Sequence, residues 1–306
     1  MMSSRAKTSN KIKAINFLKK MTISAFMMGL SIVFARFISI YIPLGGMPSM
    51  RFSLGNLPII ITSLVCGPIW GMVVGAGADL IGATAFPVGA YFFGYTIDSA
   101  IIGLIPWVIS KILNGKKRIE FIYSIVLNVV SLIIAVTYLY THTSYSNGKT
   151  NFKYELILDD GIRLGITFGL IALSMVSFIV ILLLAKFIGK EKYISRNELP
   201  RYELFRGKKV CVNPDALKAK EGYSFIDIYS FYITSALLVS ICLLPYWNSL
   251  TMSLPYFYGV FNNLIFMWIE APIKIIIYWM VLNILKKSGY MHISGFDGGK
   301  SYSTNE

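Results

Sequence analysis

The chain has 306 residues, 55% of them hydrophobic and 14% charged, and its mean hydropathy is +0.62. Soluble domains carry about a quarter charged residues, so this composition excludes an ordinary soluble fold and predicts an all-α membrane protein. The net charge of +14 would suit a nucleic-acid binder in a soluble chain. In so apolar a chain the cations belong in short loops and set topology, and no nucleic-acid partner is expected.

A basic arm at 1–18 holds Arg5, Lys7, Lys11 and Lys13, and Lys19 and Lys20 follow it. The apolar run after them, 21–42, is too long for a signal-peptide core and lacks a small-x-small cleavage site, so it reads as a retained first helix. A bilayer core takes roughly 20 apolar residues per helix. On that measure spans are predicted at about 19–42, 54–66, 68–86, 92–113, 119–140, 163–188, 226–247 and 257–285. The second and third are short and separated only by Gly67-Pro68, a break that is tolerated where neighbouring protein covers it. Eight spans put both termini on one side. The basic arm, the loop at 111–118, the ten cations of 186–225 and Lys286-Lys287 all fall on that side, which the positive-inside rule makes cytoplasmic. A six-span alternative, with 119–188 folded elsewhere, fits less well because both apolar runs there are long enough to cross. The polar loop at 140–162 is expected to hold a hairpin around Asn147-Gly148.

The segment 51–106 is apolar enough for a membrane, yet is rich in Gly and Pro and carries two acids. Gly67, Gly71 and Gly75, then Ala78 and Gly82, have the spacing that lets helix backbones approach closely; they serve packing within the bundle or room for a ligand. Ala25 and Gly29 repeat the pattern in the first helix, for internal packing or for another subunit's helix. Asp79 and Asp98 cost at least ~2.5 kcal/mol each on insertion scales if left facing lipid, so each is expected to face a cavity or partner. Asp98 has the further option of capping a helix that begins at Ile97. Arg51 is the lone charge of the first external loop, either solvated or poised for a carboxylate. Tyr91, Phe92, Phe93 and Tyr95 are interface aromatics or a stacking platform; Trp107, Trp247, Trp268 and Trp279 are assigned to anchoring and packing. Glu270 and Lys274, four apart, form a structural pair or contact a ligand.

The three cysteines, Cys66, Cys211 and Cys242, and two histidines, His142 and His292, have no metal-site spacing. Gly298-Gly299-Lys300-Ser301 lacks the earlier glycine of a phosphate-binding loop, with Ser294 in its place. No catalytic constellation appears, so the chain is not expected to be an enzyme.

The order RFSLGNLP at 51–58, CGP at 66–68, glycines running into AD at 78–79, FPVGAYFFGYT at 86–96, GLIP at 103–106 and APIK at 271–274 resembles the substrate-binding S component of energy-coupling-factor (ECF) vitamin transporters, folate-type branch. The resemblance implies a six-helix bundle in the cell membrane of a bacterium, formed by helices 1–4 at 19–113 and the last two at 226–287. The stretch 114–225 is then an inserted helical pair with its loops, and 288–306 a cytoplasmic tail. It implies high-affinity vitamin binding, under a lid formed by the loop between helices 1 and 2, in a protein without cofactor. It further implies partnership with a transmembrane T subunit and two ABC ATPase subunits, with Ala25 and Gly29 at the partner surface. Arg51, Asn56, Asp79, Tyr91, Phe92, Asp98, Glu270 and Lys274 are the implied substrate contacts. Asn262, Asn263 and Glu270 stand where folate-type members tend to carry basic residues. Arg51 and Lys274 are then the cations left for folate's carboxylates, and the pterin is expected against Asp79 or Glu270 and Tyr91 or Phe92. Thiamine or another flat heterocycle remains an alternative ligand, and an ion-coupled secondary transporter using Asp79, Glu270 and Lys274 the alternative mechanism.

Overall fold

A computed structural model describes residues 2–44, 47–87, 91–113, 117–141, 143–146, 149–152, 157–158, 160–187, 202–205, 208–211, 224–251 and 256–287. The tail at 288–306 and most of the loop at 188–223 lie outside them. Helix α1 runs over Met2–Arg36, and a hairpin of β1 (Ser39–Leu44) and β2 (Met47–Ser53) follows it. The first span therefore ends earlier than the sequence predicts. Residues 37–42 alternate Ile38, Ile40 and Ile42 with Ser39 and Tyr41, a period-two pattern of β-branched residues that favours a strand. Tyr41 pairs with Arg51, and the register shifts between Ile42 and Leu44, where Pro43 has no N–H to give the ladder.

Helix α2, Asn56–Cys66, has only 11 residues and is about 16 Å long, half a hydrocarbon core. Ten of those residues are buried, so protein rather than lipid surrounds it. The Ser31 hydroxyl donates to the Gly55 carbonyl at 2.7 Å near one end, and Lys20 to the Cys66 carbonyl at 3.1 Å at the other. These bonds lay α2 antiparallel along α1. The chain then breaks at Gly67, whose φ of +104° is disfavoured for any residue with a Cβ. Pro68 opens α3, Pro68–Ala85, at the position where a missing N–H costs nothing.

Helix α4 spans Phe93–Leu113. A Cβ on Gly75 would lie 2.1 Å from the Ser99 carbonyl oxygen, and one on Gly103 2.2 Å from that of Gly71. The glycine series therefore brings the α3 and α4 backbones into contact, which decides for internal packing at Gly71 and Gly75. Asp98 is five residues into α4, so it caps nothing.

Helices α5 (Lys117–Thr141) and α6 (Asp160–Phe187) are joined through β3 (Thr143–Ser146), β4 (Lys149–Phe152) and β5 (Ile157–Leu158). The β3–β4 pair sets Ser146 opposite Lys149, on either side of the expected Asn147-Gly148 turn, whose own residues lie outside the described ones. Strands β6 (Tyr202–Phe205) and β7 (Lys208–Cys211) form a hairpin in the long loop. Last come α7 (Phe225–Ser235), a π-helical segment (Ala236–Leu243), α8 (Leu244–Thr251) and α9 (Tyr256–Lys287). Ser224 and Asp227 form a reciprocal capping box that starts α7. The π segment has a local cause: Pro245 lacks an N–H and crowds the preceding turn, and Leu244 N–H reaches five residues back to the Val239 carbonyl. Helix α9 helps satisfy the carbonyls, since Asn263 donates to Ser240 and Tyr256 to Cys242.

Among the described residues seven helical stretches are long and apolar enough to cross a membrane, Phe225–Thr251 counting as one and α2 being the short eighth, and the protein is an all-α, multi-pass membrane protein. Helices α5 and α6 join this bundle, which favours eight spans over six. Their outer faces carry exposed Ile122, Val126, Ile133, Phe168, Val176 and Ile179. Their inner faces are stitched to α7 by buried polar groups. Asn128 donates to the Tyr229 hydroxyl at 2.6 Å and accepts from Ser174 at 2.6 Å, while Ser124 meets Ser230 at 2.9 Å. In hydrocarbon such bonds add to van der Waals packing as the means of helix association.

Candidate functional site

At the hairpin end of the bundle, α3, α4 and α8 bring acids and aromatics together. The close α3–α4 approach sets Asp79, one turn past Gly75, beside Thr96, one turn before Ser99 and Ala100. The Thr96 hydroxyl donates to Asp79 Oδ2 at 2.8 Å. A hydroxyl has one proton, so the Tyr91 hydroxyl, 2.9 Å from Thr96, is the donor to it. Tyr91 is 45% exposed and Thr96 7%, so this chain of bonds runs from the surface to the carboxylate.

Asp98 is 5% exposed. The indole N–H of Trp247 in α8 donates to its Oδ1 at 3.1 Å, and its Oδ2 has no partner. Phe92 closes over this pair, its ring 5.6 Å from that of Trp247 and 5.9 Å from that of Tyr95. Tyr95 donates to Asn248 at 2.9 Å, a second tie between α4 and α8. Gly94 makes the ring contact possible, because a Cβ there would lie 2.6 Å from both Phe92 and Trp247. Phe93 points away and is exposed.

A second grouping lies on α9, against the hairpin strand β2. Glu270 and Lys274 pair on α9. Lys274 is 18 residues past Tyr256, about 27 Å along the axis, and 8% exposed. Its ammonium lies 5.2 Å from the centre of the Phe52 ring and 6.0 Å from that of Tyr232. The hairpin strand β2 thus packs an aromatic face on the cation, an arrangement that stabilises a desolvated ammonium.

The structure therefore joins Asp79 with Tyr91 and Asp98 with Phe92, and keeps Glu270 with Lys274 as a pair. Arg51 belongs to β2, but its side chain lies outside the described residues. Asn56 is exposed at the first position of α2, and the described contacts of neither grouping include it. Thr96, Trp247 and Phe52 are the connecting residues that sequence reasoning missed. Trp247, expected to anchor or pack, instead bonds Asp98; the signal available is its place two residues past Pro245, beside a polar Asn248. Among the described residues no cluster of His, Cys, Asp or Glu is arranged to hold a metal.

Ala25 and Gly29 occupy a different surface. They are exposed on α1 in an apolar groove of about 380 Å³, facing Trp70, Val73 and Ile81 of α3. A Cβ on Gly29 would meet nothing within 4 Å, so its smallness serves no contact inside the chain.

The family model described as the S component of an ECF-type riboflavin transporter matches residues 16–190. The chain belongs to this family. The match spans α1 to α6, so the α3–α4 half of the site lies inside it, whereas Trp247, Glu270 and Lys274 lie beyond it. The folate transporter FolT of Clostridium novyi (strain NT) is 41% identical over 81 residues, covering 26% of this chain and 44% of that relative. The similarity thus spans less than half of the relative's length. No solved structure matches this S component significantly.

Proposed function

We propose that this S component is the substrate-binding membrane subunit of an ECF-type importer and that its substrate is folate or a related pterin. The observation that carries the substrate class is the grouping of Asp79, Asp98, Phe92 and Trp247 at the hairpin end, in a family whose members carry vitamins. Carboxylates that accept N–H donors, set beside aromatic faces, suit a flat heterocycle with donor edges. The relative named as a folate transporter supports the pterin among such rings. Ionic recognition of folate's carboxylates falls to Arg51 first, because Lys274 is already paired with Glu270. The chemistry asked of this chain is binding; transport work falls to a T subunit and two ABC ATPase subunits. The groove carrying Ala25 and Gly29 is the surface for the T subunit. Both termini are cytoplasmic, and the hairpin end faces outward as the entry side.

The experiment is equilibrium titration of the purified full chain in detergent, without ATP, with folic acid, 5-formyltetrahydrofolate, thiamine and riboflavin. Submicromolar binding of a folate, and of neither other vitamin, supports the assignment; no folate binding by folded protein overturns it. Riboflavin is the second reading, favoured by the description of the matching family, and tight binding of riboflavin alone establishes it. Uptake that persists in cells lacking the ATPase subunits supports the ion-coupled alternative instead.

A further inference from the structure

Three acids compete for the polar edge of a bound heterocycle, and their environments separate them. Glu270 is neutralised by Lys274. Asp79 has one oxygen bound by Thr96, itself backed by Tyr91. Asp98 is 5% exposed and its Oδ2 is unpartnered. A buried acceptor without a donor is costly, more so when charged, and a carboxylate within a membrane helix marks a site by default. The surroundings of Asp98 are built rather than incidental: the Trp247 indole fixes Oδ1, and Gly94 allows Phe92 to pack on that indole. The carboxylate is thereby held with one oxygen committed and one free beside aromatic rings.

Resting on the pterin assignment above, we infer that Asp98 is the specificity-determining residue of the site, its carboxylate accepting the adjacent N–H donors of a 2-amino-4-oxopyrimidine edge. Each carboxylate oxygen has two lone pairs, so Oδ1 can keep the Trp247 N–H and still join Oδ2 in accepting paired donors in a fork. The 2-amino and N3–H groups of a pterin are such a pair. The corresponding edge of a flavin has one N–H between two carbonyl oxygens, and those oxygens face a carboxylate unfavourably. Asp98 therefore separates folate from riboflavin, the two vitamins named by the comparisons, and Trp247 is the positioning residue that aims it.

The test pairs a change in the protein with a change in the ligand. On the unaltered chain, a folic acid analogue with methyl in place of the 2-amino group is expected to bind at least ~100-fold more weakly than folic acid, because a site built to bond a donor rejects the analogue lacking it. D98N, which turns one acceptor into a donor, is expected to lose ~100-fold for folic acid and less than about 3-fold for the analogue. W247F is expected to lose about 3- to 10-fold for folic acid while keeping the preference over the analogue. Equal losses for both ligands in D98N, or no loss for folic acid, overturn the inference while leaving folate binding intact. The wild-type comparison decides even if D98N does not fold: equal affinity for the two ligands overturns it. If the wild-type chain binds no folate, the substrate assignment itself fails and the pterin-edge role falls with it.

Discussion

Lys274 illustrates how one buried side chain governs what its neighbours can do. Its ammonium is held by Glu270 and covered by Phe52 and Tyr232. K274M removes the cation and strands Glu270 within the bundle, and breaking such a pair costs about 3 kcal/mol or more. A lowered thermal midpoint in detergent is expected, with much of it regained in the double variant E270M/K274M, where no charge is left to desolvate. A double variant as unstable as the single one would refute the pairing. Thr96 has a smaller but separable effect. T96V deprives Asp79 of its donor and Tyr91 of its acceptor and is expected to cost about 2 kcal/mol, whereas T96S keeps both bonds and most of the stability. At this scale the sequence identifies the acids, and the partner of Glu270 alone among them. The i,i+4 spacing makes the Glu270–Lys274 pair legible, because helix geometry alone brings the two together. The Asp98–Trp247 bond joins residues 149 apart, and no local pattern announces it.

The helix breaks and close approaches follow from a few small or cyclic residues. Gly75 is the most demanding, since any Cβ there runs into the Ser99 carbonyl. G75A is expected to wedge α3 from α4 at a cost of roughly 2 kcal/mol and to weaken ligand binding, because Asp79 and Thr96 lie about one turn beyond the contact. Gel filtration and thermal unfolding report the first effect and titration the second. The glycine spacing and the Gly67-Pro68 break were readable because each departs from what a lipid-facing helix needs. The end of α1 is hidden from hydropathy for a physical reason: Ile38, Ile40 and Ile42 are as apolar as a helix requires, and only their strand-like alternation marks β1. The π segment left no hydropathic trace. It adds a residue to the turn ahead of Pro245, and one residue corresponds to about 100° around a helix. Deleting one residue within 236–243 should therefore turn the segment into regular α-helix and keep Trp247 on Asp98, whereas the same deletion in the regular part of α7 should swing Trp247 away and lose folic acid affinity.

For the whole molecule, orientation and assembly are the properties to test. With Cys66, Cys211 and Cys242 replaced by serine, single cysteines introduced as S3C and S303C are expected to resist an impermeant maleimide in intact cells and to react after lysis. Labelling of either from outside would overturn cytoplasmic termini. G29L is expected to leave folic acid affinity within about twofold, because Gly29 has open space around it, and to abolish co-purification with the T subunit. The apolar runs that form the spans are legible in the sequence, since long hydrophobic stretches and clustered cations are strong signals even in one chain. How α5 and α6 join the bundle is not, because the buried bonds of Asn128 and Ser174 depend on which faces meet. The open groove between α1 and α3 has a thermodynamic consequence for assembly. In a bilayer that space is filled by acyl chains, which are as apolar as its lining. A docking helix therefore gains little from leaving water behind; it gains from tighter fit and from freeing ordered lipid. Association strength should thus vary with lipid chain length and saturation, and a complex that holds in one bilayer can come apart in a detergent micelle without any change in the protein.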